Sequence, residues 1–343
     1  MKTVRFALAL VVFGSVAGLA YVAQQIEGAG ASQVTAAQAF VESLSSEQKP
    51  QATFAFDSDE RFNWNFIPLQ DANRKTTRKG LPLEAMTPEQ KKKALDLVRA
   101  GTSASGMETA QLIMSLEGIL LATEKPGGAM VRNPQWYFFT VFGTPSKTGS
   151  WGWRVEGHHL SINVTLDGTQ VVSATPFFFG ANPAELKFGD KKGFKVLAPA
   201  QDLAAGLFTS LNDEQKKAAI QRKAFGEPGQ KEKNPKVAAP AGIPAAQFTA
   251  AQKETLVKLL EHYTGRMPKD VGDGELKKVH DAGIDKVHFA LTGSTEPGKG
   301  MTYRVQGPTF VVEFLNIQAD GYGNANNHIH SAWRRIKGDF GVN

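Results

Sequence analysis

Residues 153–157 read WRVEG, and residues 303–307, 150 positions later, read YRVQG. The correspondence runs without a gap over residues 139–164 and 289–314. Apolar side chains alternate with polar ones through both copies, which indicates strands with one face on a core. The chain is therefore predicted to be internally duplicated, with one β-rich unit used twice.

The alternation changes phase inside each copy. Apolar residues stand at odd positions before Gly157 and at even positions from Leu160 onward. A period-two pattern changes phase only at a turn or a bulge. Each unit is therefore predicted to bend sharply, at Gly157-His158 in the first copy and at Gly307-Pro308 in the second.

Four segments carry the same helix-start signature. In each, a side-chain oxygen that can cap a helix is followed three positions later by glutamine. The pairs are Ser45 with Gln48, Thr87 with Gln90, Asn212 with Gln215, and Thr249 with Gln252. Two precede each β-rich copy, so the predicted fold class is α+β, with each half formed by helices followed by antiparallel strands.

The predicted halves are residues 33–186 and 187–343. Residues 1–23 have a basic start and an uncharged apolar run, the layout of a secretory signal peptide. An N-terminal anchor is the alternative, because the run is near the lower length limit for spanning a bilayer. Both alternatives predict an exported protein, periplasmic or extracellular, that meets the membrane only through this segment.

Composition excludes several chemistries. The chain has no cysteine, which rules out thiolate catalysis, cysteine-ligated zinc and iron–sulfur clusters. Its formal charge is +6, and the basic residues are scattered among acidic ones. This pattern does not predict nucleic-acid binding. A small-molecule or peptide substrate is the expected partner.

Two further segments have a distinctive pattern. Residues 62–66 read FNWNF, whose strict alternation predicts a strand. Residues 226–247 contain four prolines and a cluster of lysines, which predicts an exposed irregular excursion inside the second half.

Histidines form the candidate site. His158 and His159 occupy the predicted bend, and His328 and His330 are spaced so that a strand projects both imidazoles to one face. Three neutral imidazoles leave one coordination position open for water, so zinc is the expected divalent ion. Glu156 is the candidate catalytic base or partner of a ligand. The alternative is that these are ordinary polar residues hydrogen-bonded to backbone at a sheet end.

Residues 153–161 (WRVEGHHLS), 304–309 (RVQGPT) and 327–334 (NHIHSAWR) together resemble an exported bacterial family, domain-of-unknown-function family 3500. The resemblance covers nearly all of the chain after the N-terminal segment and implies no particular activity. Members of that family often carry histidine where this chain has Asn65, so the chain departs from that pattern there.

Two functions are compatible with this pattern. One is a metal-dependent hydrolase with a histidine-rich site. The other is a non-catalytic extracytoplasmic binding or scaffold protein whose aromatic residues form a recognition surface. A hydrolase of this kind needs a metal with an open coordination position, whereas a binding protein does not.

Overall fold

The computed structural model describes residues 28–124 and 130–342. The predicted signal peptide or anchor at residues 1–23 lies outside the described residues. Within the described ranges, no helix has both the length and the apolar character needed to cross a membrane.

In the described part of the chain, eight helices form before the two groups of long strands, four in each half. They are α1 (Ala29–Glu42), α2 (Lys49–Ala52), α3 (Pro88–Ala100), α4 (Ala104–Thr123), α5 (Ala198–Ser210), α6 (Asp213–Ala219), α7 (Ala250–Thr264) and α8 (Lys269–Ala282).

Twelve strands of the described residues join in one sheet. They are β1 (Thr53–Phe54), β2 (Leu81–Pro82), β3 (Phe138–Phe142), β4 (Ser150–Gly157), β5 (Leu160–Asp167), β6 (Gln170–Ser173), β7 (Phe177–Ala181), β8 (Ile243–Pro244), β9 (His288–Gly293), β10 (Met301–Gln306), β11 (Phe310–Asn316) and β12 (Ile329–Arg335).

The two groups of strands share this single mixed sheet. Its order is β1-β3-β4-β5-β7-β12-β11-β10-β9-β8, with β2 beside β3 and β6 beside β5. The pairings are antiparallel except that β1 runs parallel to β3. The predicted α+β class is confirmed, and the halves meet where β7 pairs with β12 at the centre of the sheet.

The two β-rich units pair in the same register. Val155 faces Phe139 on one side and Ile162 on the other. Val305, 150 positions later, faces Phe289 and Val312, which are displaced by the same number. The predicted bends are confirmed as the β4–β5 and β10–β11 turns. Descent of the halves from a duplication, and their boundary at residue 187, stay predictions.

Capping residues start the helices at the predicted places. Thr87, Asn212 and Thr249 each accept a hydrogen bond from the amide of the glutamine three positions later, whose side chain bonds back. Ser45 makes the corresponding exchange with Gln48 in a turn just before α2. The local sequence therefore determines these starts.

The two faces of the sheet are covered differently. Trp153 and Val155 pack with helix residues such as Leu97 in the main apolar core. On the other face, Arg154 donates to the carbonyl of Glu60, and Arg334 donates to that of Gly229. Irregular segments within residues 55–78 and 220–242 therefore cover a buried polar face.

The predicted strand at residues 62–66 is wrong. A short 3-10 helix occupies Asp59–Phe62, and irregular backbone follows it. Trp64 and Phe66 alternate because they insert into a second apolar cluster with Phe178, while the backbone amide of Asn65 donates to the side chain of Glu156. The backbone amide of Asn65 thus bonds to a side chain instead of to the backbone of a neighbouring strand.

Candidate metal centre

Three histidines converge at one end of the polar face. His159 is the second residue of the β4–β5 turn and adopts a left-handed backbone conformation, with φ 63°. Its ring crosses the backbone of Gly180, where a Cβ atom would approach the ring to 2.9 Å. His328 directly precedes β12 and His330 lies within it, so both project to one side while Ile329 enters the core.

The distances suit a single ion. His159 Nε2 lies 2.7 Å from His328 Nε2 and 3.0 Å from His330 Nε2. The three candidate ligand atoms all lie within 4.8 Å of one another. Ligands at about 2.0–2.1 Å from a tetrahedral ion are separated by roughly 3–3.5 Å. These residues are called the histidine triad below, and a small outward relaxation would let it hold an ion.

Outer contacts determine where the imidazole protons lie. Glu227 Oε2 is 2.6 Å from Nδ1 of His330, and the carbonyl oxygen of Ala319 is 3.3 Å from Nδ1 of His328. Because each Nδ1 faces an acceptor, a neutral ring carries its proton on Nδ1, and its Nε2 then has a free lone pair. Nε2 of His159 can donate to Nε2 of His328 or to Nε2 of His330, but not to both. Without a ligand, one of these lone pairs therefore faces another nitrogen and has no donor. A cation at the centre would satisfy all three.

Burial keeps two rings of the triad, those of His159 and His328, neutral. His159 is 3% exposed, and burial, reinforced by the neighbouring histidines, lowers its pKa well below the usual value. Burial, followed by the charge of His330, lowers the pKa of His328 to about 3. Neutral imidazole is the form that coordinates a metal, so His159 and His328 can bind without first losing a proton.

Side-chain hydrogen bonds hold the segment that carries His328. The amide of Asn327 donates to Asp320 at 2.7 Å and to the carbonyl of Glu185 at 2.9 Å. The backbone amide of His328 donates to Asn316 Oδ1. These contacts orient His328 before any ligand arrives.

His158 faces away from the triad. Its Nδ1 lies 2.6 Å from Glu117 Oε2 on α4 and 3.3 Å from the guanidinium of Arg132. Its ring stacks on that of His159 at 3.9 Å. Burial lowers the pKa of His158, although Glu117 opposes this. Three of the four predicted metal ligands therefore meet, while the fourth supports one of them.

Glu156 occupies a buried ion-pair cluster. Its carboxylate lies 2.8 Å from Arg78 and 3.4 Å from Arg154, and it accepts a hydrogen bond from the backbone amide of Asn65. Its side chain is 1% exposed. These contacts use both carboxylate oxygens, which is the arrangement of a structural anion between two cations.

Two important carboxylates had no sequence signal. Glu227 lies in the irregular excursion and reaches the triad from a segment about 100 positions away. Glu117 lies on a helix whose repeat predicts only packing. Neither residue stands in a motif with the histidines, so only the fold brings them together.

Residues 27–342 match the model of the family described as protein of unknown function, DUF3500. The chain belongs to this family. No curated protein and no solved structure matches this chain. The geometry of the triad therefore carries the functional argument.

Proposed function

We propose that this DUF3500 protein binds one divalent metal ion, zinc by preference, through His159, His328 and His330, and uses it for hydrolysis. The observation that supports the proposal is the convergence of three Nε2 atoms while Glu227 and a backbone carbonyl occupy the outer nitrogens of two rings. Such outer partners fix ring orientation and raise ligand basicity at metal sites.

The donor set favours zinc and a catalytic geometry. Three imidazole nitrogens without a protein carboxylate in the ligand set leave one position of a tetrahedron for water. When bound there, zinc would lower the pKa of that water towards neutrality. His328 is the half-exposed member of the triad, so water and a small-molecule or peptide substrate would approach from its side.

Glu227 is the carboxylate best placed to assist. Its side chain is 40% exposed, in contrast to that of Glu156, and its Oε2 already contacts a triad ring. We therefore assign Glu227 the role of orienting His330, and Glu156 the role of holding the polar face together.

Metal analysis of the purified protein tests the proposal. We expect about one zinc per chain, lost when His328 and His330 are both replaced by alanine. The matched control replaces Pro308 and Thr309, which occupy the equivalent turn in the second half, and should retain the metal. Retention of metal by the double histidine variant, or full loss of metal from the control, would contradict the proposed ligands.

Cobalt substitution tests for the open position. A four-coordinate cobalt protein absorbs strongly in the visible range, and azide should shift that spectrum if water occupies one site. An azide-insensitive spectrum would instead favour a closed, non-catalytic metal site.

Export is part of the proposal. The order of a basic start, an apolar run and small residues within 1–23 motivates it. N-terminal sequencing of extracytoplasmic material should find that segment removed. An intact Met1 in the membrane fraction would indicate the anchor instead.

A further inference from the structure

Residues 187–195 form an exposed segment with an unusual composition. They read KFGDKKGFK, and all nine are exposed. Four lysines and one aspartate leave the segment with a formal charge of +3. Two phenylalanines stand near its ends.

Hydrogen bonds make the segment a defined hairpin. The amide of Phe194 donates to the carbonyl of Lys191, and that of Lys192 donates to Gly189. Leu186 and Phe194 pair across the base at 2.9 Å. Gly189 has φ 72°, a left-handed value that favours glycine at this turn. The segment is called the basic hairpin below.

The phenylalanines are exposed although buried apolar residues lie directly beside them. Phe188 and Phe194 are 38% and 44% exposed, whereas Leu186 and Val196 at the base are buried. Phe188 contacts the ring of Tyr322 at 4.7 Å, and this supports one side of it. The base is thus anchored, and both phenylalanines beside it keep more than a third of their surface exposed.

We propose that the basic hairpin docks this protein on a membrane surface that contains anionic lipids. Aromatic rings enter the boundary between headgroups and acyl chains, while lysines pair with anionic headgroups. Exposed lysines at the turn with partly exposed rings beside them suit the anionic surface of a bilayer, which accepts shallow insertion of the rings, better than a folded partner, which would need a matching groove. This contact would be additional to the one expected through the N-terminal segment.

Docking would place the histidine triad near that surface. The base of the hairpin is tied to Asn327, because the amide of Ala184 donates to its carbonyl and that of Glu185 donates to its side chain. The next residue is His328. The inference does not depend on metal binding, so it can fail or succeed separately from the proposed function.

A fluorescence experiment on the full chain tests the docking. Because the N-terminal segment can itself bind lipid, the reporter belongs on the hairpin as Phe194→Trp. With vesicles of brominated phosphatidylglycerol, we expect quenching of the added tryptophan and a shift of its emission to shorter wavelength. Ile220→Trp is the matched control at an exposed apolar position just after α6 and should not be quenched.

Charge and aromatic variants test the chemistry. Reversing Lys191 and Lys192 to glutamate should weaken the quenching-derived affinity by about tenfold or more. Replacing Phe188 by serine in the reporter protein should weaken it by several-fold. Equal reversal of the exposed helix residues Lys277 and Lys269 should leave it unchanged.

Three outcomes of the vesicle measurement would overturn the inference. They are no quenching of the hairpin tryptophan, equal quenching at position 220, or equal binding to vesicles of phosphatidylcholine alone. A response to a soluble polyanion such as heparin without a response to vesicles would assign the hairpin to a different partner and also overturn it.

Discussion

Glu227 reaches the triad through one hydrogen bond, so its replacement should affect the metal more than the fold. With Glu227→Gln, the weaker acceptor at His330 Nδ1 should lower zinc affinity by about 10–100-fold. Competition with a chromophoric chelator measures this. Glu232→Gln is the control in the same loop, because its carboxylate pairs with the exposed Lys236. Equal affinities in the two variants would exclude the orienting role.

Replacement of Glu156 should have the opposite effect, on the fold rather than on the metal. Removing the charge of Glu156 with Glu156→Gln leaves Arg78 and Arg154 less compensated in a buried site. We expect a loss of roughly 3–5 kcal/mol in the free energy of unfolding, measured with urea, and no change in metal content.

Glu89→Gln serves as the control for that measurement because its ion pair with Lys93 is mainly exposed. That change should alter stability by less than about 1 kcal/mol. A stable Glu156→Gln protein that has lost a metal-dependent activity would return Glu156 to the catalytic role expected from the sequence.

At the scale of elements, paired glutamines join the two helix starts of each half. Gln252 caps α7, and its amide donates to the carbonyl of Ser210 at 2.8 Å and to Gln215 at 3.0 Å. Gln90 makes the same set of contacts with Ser43 and Gln48. The glutamines therefore stabilise helix packing as well as the cap.

Alanine at either position should remove the reciprocal half of the capping box, which leaves the backbone amide of the N-cap threonine without its side-chain acceptor. The carbonyl of Ser43 or Ser210 would also lose its side-chain donor. We expect Gln252→Ala and Gln90→Ala each to lower the free energy of unfolding by roughly 1–3 kcal/mol. Lys258→Ala, on the exposed face of α7, should change it by about 0.5 kcal/mol or less. A large difference between the two glutamine variants would mean that the halves do not use this contact equivalently.

At the scale of the whole molecule, buried histidine links stability to pH. Burial, followed by the charge of Arg266, lowers the pKa of His262 to about 3. The unfolded chain takes up a proton near pH 6.5, whereas the folded chain does not. Stability from this group is therefore complete above about pH 6.5 and is lost as the pH falls towards 3, by at most about 1.4 kcal/mol per unit.

His262→Gln should reduce the slope of unfolding free energy against pH while keeping an acceptor for Arg266. Thermal unfolding between pH 7 and pH 4, with a chelator present to remove any metal contribution, measures the difference. The exposed His280→Gln is the control and should leave the slope unchanged. A slope in His262→Gln equal to that of the unaltered protein would contradict the assignment.

Local patterns were sufficient for much of the fold. The capping pairs, such as Thr249 with Gln252, predicted the helix starts, because a cap and its amide lie three residues apart. The phase change at Gly157 predicted the hairpin, because a strand alternates with period two. The local pattern gave one wrong prediction, the strand at residues 62–66. These residues alternate because their rings insert into the polar face of the sheet.

The helix starts, the hairpins and the candidate histidines can be predicted from the sequence, because they follow from spacing along a few residues. The joining of both groups of strands in one sheet, the choice of His159 over His158, and the support from Glu227 depend on the tertiary structure. These contacts join distant segments: the β4–β5 turn meets β12 only because β7 pairs with both β5 and β12. The periodicity of a single segment cannot predict which distant strand it pairs with.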